Sequence, residues 1–77
     1  GVVSIALDSD GNIYITDAAF DNVQIFDRQG KLLLFFGGPG NQAGEFWLPA
    51  GIAIDGNDKI YAADSHNSRV QVFRYLK

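Results

Sequence analysis

Two aspartates recur where apolar stretches end: Asp17 closes NIYITD and Asp64 closes KIYAAD. A carboxylate at the rim of a sheet can act as a general acid or base, because the scaffold holds it still while a loop admits substrate. The same residue in the same place is also the usual acceptor for loop N–H groups, and that is how both are read. Each is expected to bond backbone amides of the loop that follows it. Arg69, close in sequence to Asp64, is assigned to the same network, where a salt link would orient the loop. Asn67 completes this structural motif.

Other groups offer less. Asp8-Ser9-Asp10-Gly11-Asn12 begins like a calcium loop, but Ile13 occupies the position that needs glycine and no bidentate glutamate follows. A hairpin turn explains it better. His66 is the single histidine and there is no cysteine, so neither a histidine cluster nor a thiolate metal site can form within the chain. No serine sits in a nucleophile elbow, and the Gly37-Gly38-Pro39-Gly40 run opens no helix that could cradle a phosphate. The residues therefore predict no catalytic group, no metal and no cofactor.

These positions belong to a repeat. Ile5 to Phe26 aligns without a gap on Ile52 to Phe73 at one offset, 47 residues (52 − 5). Ile5/Ile52, Ala6/Ala53, Asp8/Asp55, Ile13/Ile60, Tyr14/Tyr61, Asp17/Asp64, Val23/Val70, Gln24/Gln71 and Phe26/Phe73 are identical. A period of this size marks a repeat architecture. Within each copy, short β-branched and aromatic runs alternate with Asp/Gly/Asn turns. Strands are predicted at residues 2–7, 12–16, 23–26 and 31–36, and again at 51–54, 59–63 and 69–73. Gly37 to Pro49, with both prolines, is read as the linker that returns the chain to the start of the next sheet. Both faces of strands two and three are apolar, so each sheet needs cover on two sides. Small residues in the first strand (Ala6, Gly51, Ala53) suit sheets that converge on an axis.

The second copy, with Gly44-Glu45-Phe46, Pro49 to Asp55, Lys59 to Asp64 and Asn67 to Phe73, resembles the NHL repeat family. The first copy keeps Asp8 to Tyr14, Asp17, Asn22 to Phe26 and Gly30-Lys31, departing at Ser4 and Asn22. The resemblance implies an all-β fold, an NHL-type β-propeller. About two four-stranded antiparallel blades of a six-bladed ring would be present, the second lacking its outer strand. The divisions are residues 1–37 for the first blade, 38–49 for the linker and 50–77 for the incomplete second blade. Two blades leave apolar faces wet and strand edges unpaired. Further blades, from a longer chain or from copies of this one, are expected as partners, the longer chain being favoured.

At 77 residues, 47% of them hydrophobic and 13% aromatic, the chain is rich for so small a body, which again points to neighbours. Net charge is −3 with a pI near 4.7, so no general affinity for nucleic acid or anionic membrane is expected. No apolar run approaches the ~20 residues of a membrane span. Alternating strand direction sorts Phe20, Trp47, His66 and Arg69 onto one end. These are the candidate protein-binding residues, although Trp47, as part of the trio Phe46-Trp47-Leu48, is read first as pinning the linker over the seam between blades. The leading expectation is a non-enzymatic scaffold that binds a protein partner through this loop face. An enzyme of the metal-dependent lyase or hydrolase type, with its histidines on other blades, is the alternative. RNA binding ranks last, since Asp17, Asp21, Glu45 and Asp64 face Arg69 alone. By resemblance, the VQVF-type ending leans towards an exported bacterial protein.

Overall fold

The computed structural model describes all residues from Gly1 to Lys77. Its elements are β1 (Val2–Leu7), β2 (Ile13–Asp17), β3 (Asn22–Phe26), β4 (Leu32–Gly37), β5 (Pro49–Ile54), β6 (Lys59–Asp64) and β7 (Arg69–Arg74), with a 3₁₀ turn at Ser65–Asn67. They form two antiparallel meanders, β1-β2-β3-β4 and β5-β6-β7. No helix is long and apolar enough to cross a membrane.

The turns form as their residue types dictate. Asp8 takes N–H bonds from Asp10 at 2.9 Å and Asn12 at 3.0 Å, while Gly11 sits at φ 81°. Asp55 repeats this with Asn57 and Lys59, both at 2.9 Å, and Asp27 with Gln29 and Lys31. These loops are hairpin turns with their carboxylates spent on backbone amides.

Strands β3, β5, β6 and β7 run one or two residues further than the pattern predicts, whereas β2 and β4 keep the expected length but are displaced by one residue. Gly37 and Pro49 join β4 and β5, so the connecting segment is residues 38–48. Proline is accommodated as the first residue of a strand, where its missing N–H matters least. The segment is itself ordered: Gly40 donates to the Phe46 carbonyl at 2.9 Å and Phe46 to that of Gly38 at 2.8 Å. Phe46 is then driven between the sheets, fully buried, with its ring 5.8 Å from that of Phe73.

Which faces meet decides the architecture. Alternation and register put Tyr14, Thr16, Val23 and Ile25 on the side of the first sheet that is buried against the second. The second sheet answers with Ile52, Ile54, Ile60, Ala62 and Phe73. Their repeat counterparts in the first sheet are Ile5, Leu7, Ile13, Ile15 and Phe26, which lie on its opposite face. The sheets therefore stack front to back, as successive blades do, and not front to front as in a closed sandwich. At the inner edge β1 lies beside β5, and the small Ser4 lets its hydroxyl accept the Ile52 N–H at 3.3 Å.

Candidate functional site

The end of the molecule carrying the β2–β3 loop, the connecting segment and the 3₁₀ turn is organised by three aspartates. Asp64, fully buried at the end of β6, accepts from the Trp47 N–H at 2.7 Å, Asn67 Nδ2 at 2.9 Å, Arg69 Nε at 2.9 Å and Gln71 Nε2 at 3.2 Å. Burial by itself would raise its pKa, but the Trp47 amide, Asn67 and Arg69 outweigh that and hold the carboxyl below its usual range. One expectation needs correction. Asp64 reaches no backbone amide of its own loop, because the N–H that it meets arrives from the connecting segment 17 residues upstream.

Asp17 behaves as its type predicts. Its Oδ1 accepts from Ala19 at 2.9 Å and Phe20 at 3.3 Å, and Gln24 Nε2 approaches its Oδ2 at 3.2 Å. Burial again opposes ionisation, and the Ala19 and Phe20 amides lower its pKa nonetheless.

Asp21 is the residue that pattern reasoning missed. Its carboxylate accepts the Leu48 N–H at 2.8 Å and its carbonyl accepts the Gly38 N–H at 2.9 Å, tying the segment to the first sheet. Ser65 Oγ holds the Leu48 carbonyl from the other side at 2.7 Å. Leu48 is thereby kept at φ 52°, a left-handed conformation that a branched side chain adopts only when its surroundings impose it. The available signal was a departure from the repeat, since Asp21 stands where the second copy has Ser68.

The four binding candidates separate on this frame. Arg69 leaves the contact set: besides Asp64, its Nη2 bonds the carbonyls of Gln42 and Glu45, each at 2.9 Å. Its Nε and Nη2 donors are spent inside the fold, so it acts as a positioning residue. Asn67 does similar work, bridging the Gly40 carbonyl and Asp64. Trp47 and His66 stay at the surface, meeting edge-on at 5.0 Å, and Trp47 is 53% exposed. Phe20 stands out from its loop at 67%. The Phe46-Trp47-Leu48 trio is thus divided: Phe46 pins the segment over the seam and Trp47 faces solvent.

At the opposite end a polar clasp joins the two sheets. Ser9 donates its N–H to Asp58 at 2.8 Å, and Lys77 Nζ reaches Asp10 at 2.6 Å and Asp8 at 3.2 Å. Asp8 is buried, which disfavours its charge, yet bonds from Asn12, Tyr14 and Lys77 hold its pKa at about 2. Between the sheets, beside the free edge of β7, lies a groove of about 330 Å³ lined by Ile25, Leu34, Phe36, Ile60, Phe73 and Tyr75. No group of three or more His, Cys, Asp or Glu side chains is arranged to hold a metal ion.

A family model described as NHL repeat matches residues 46–73. That segment is similar to an NHL repeat. The NHL unit starts at Phe46 and finishes at Phe73, the two rings that meet in the core. It takes in the whole of β5, β6 and most of β7, together with Asp64, Asn67 and Arg69. The first sheet repeats the pattern of the matched segment at a constant offset and stacks on the second front to back, and the pair has the organisation of a propeller fragment.

Proposed function

We propose that this chain is a non-enzymatic, propeller-type scaffold that binds a protein partner through the rim bearing Phe20, Trp47 and His66. The observation that carries the reading is large exposed rings on immobilised backbone. Asp17 fixes the Phe20 amide, and Asp64 fixes that of Trp47. Aromatic side chains presented in this way are typical interface anchors, because little ordering entropy remains to be lost on association. The half-buried carboxylates of Asp21 and Glu45 at the same end favour a protein over a phosphate backbone as the partner.

The test replaces both rings, F20A/W47A, and compares the proteins retained from a cell extract by the wild-type and variant chains. Both residues are exposed, so circular dichroism should be unchanged while the retained bands disappear. Bands that persist at full strength with the folded double variant would place binding elsewhere.

A further inference from the structure

Each outer face of this two-sheet body is a ready-made half of the interface that the chain already contains. The first sheet turns Ile5, Leu7 and Phe35 outwards, 62–64% exposed. Ile5, Leu7, Ile13 and Ile15 share that face, and their repeat counterparts are Ile52, Ile54, Ile60 and Ala62, the residues buried in the seam. On the far side, the second sheet shows Tyr61, Ala63, Val70 and Val72, with Val70 61% exposed. Their counterparts Tyr14, Thr16, Val23 and Ile25 form the other wall of the same seam.

We infer that a second copy of this chain docks head to tail on the first. The Val70/Val72 face of one copy packs against the Ile5/Leu7 face of the next and re-creates the internal seam. The two faces differ, so the contact is heterologous and leaves one free face of each kind on the pair. Growth continues until the ring closes. Only the β1–β3 part of the apolar seam is reproduced, because Leu34 and Phe36 of β4 and the buried Phe46 have no repeat counterpart on the two outer faces. Gly56 stands where Ser9 does and Gly11 where Asp58 does, so the clasp at the inner turns has no counterpart between copies. Association is accordingly weaker than the covalently tethered internal contact and depends on concentration.

Sedimentation of the 77-residue chain up to roughly 0.1 mM tests this, with mass expected to rise from 8.4 kDa to at least about twofold higher. Two variants identify the faces: I5K/L7K blocks one and V70K/V72K the other. Each alone should stay monomeric, whereas an equimolar mixture should form one-to-one pairs, since every copy keeps one intact face. A wild-type chain that stays at 8.4 kDa throughout overturns the inference and assigns the faces to sheets from another source. Association that survives in either variant, or a mixture that fails to pair, overturns it equally.

Discussion

Replacing Asp64 by alanine removes one carboxylate and strands four donors of unequal fortune. Asn67, Arg69 and Gln71 retain bonds to the carbonyls of Gly40, Gln42 and Glu45. Arg69 is also 31% exposed, so its charge can be rehydrated. The Trp47 N–H has no second acceptor, and leaving a buried amide unpaired costs about 1–3 kcal/mol. With the weakened Arg69 contact added, D64A should lose about 3 kcal/mol, a large part of the roughly 4–12 kcal/mol expected for a domain of this size. For Asp17→Ala the corresponding loss is nearer 1 kcal/mol, because the second of its two loop bonds is long, at 3.3 Å. In a thermal melt at one fixed protein concentration, D64A should melt at least ~12 °C lower. Trp47, the single tryptophan, reports the rim by fluorescence while circular dichroism reports the sheets. If D64A melted within a few degrees of wild type, or no lower than D17A, the view that Asp64 holds the connecting segment down would be refuted.

Phe46→Ala should cost about 3–5 kcal/mol by opening a cavity between the sheets, and a loss under about 1 kcal/mol would show that the seam holds without its plug. Gly37→Ala should destabilise through the same ring: Gly37 lies at φ 99°, and an added Cβ would stand 2.6 Å from the Phe46 side chain. Rescue of G37A by F46L in urea titrations would confirm the clash. Acid stability should follow Asp8. Its folded pKa, about 2, lies below the unfolded value near 4, so its contribution is complete above about pH 4 and is lost as the pH falls towards 2. That amounts to about 2 kcal/mol, and D8N should lose less on acidification than wild type. Parallel acid profiles for the two would contradict the assignment.

Much of this molecule could be read from its residues in order. The turns at Asp8, Asp27 and Asp55 follow from short-range bonding between a side chain and amides two to four residues on, and the folded chain repeats that pattern in each. The duplication, the strands and the sorting of Phe20, Trp47 and His66 onto one end follow from periodicity and alternating direction. The part of Asp64 was half legible. Its pairing with Arg69, five residues on, is local, whereas its bond to Trp47 depends on where the connecting segment lands.

The amino-acid sequence alone determined that there are two like sheets with apolar character on both sides, because hydrogen-bonded turns and strand alternation are set by near neighbours. Only the tertiary structure decided that unlike faces meet, that Phe46 and not Trp47 enters the seam, and that Asp21 clamps Leu48 27 residues away. Those outcomes depend on packing volume and on bringing distant chain segments together. A linear pattern leaves both undetermined, since either face of each sheet, and any ring of the Phe46-Trp47-Leu48 stretch, is apolar enough to be buried.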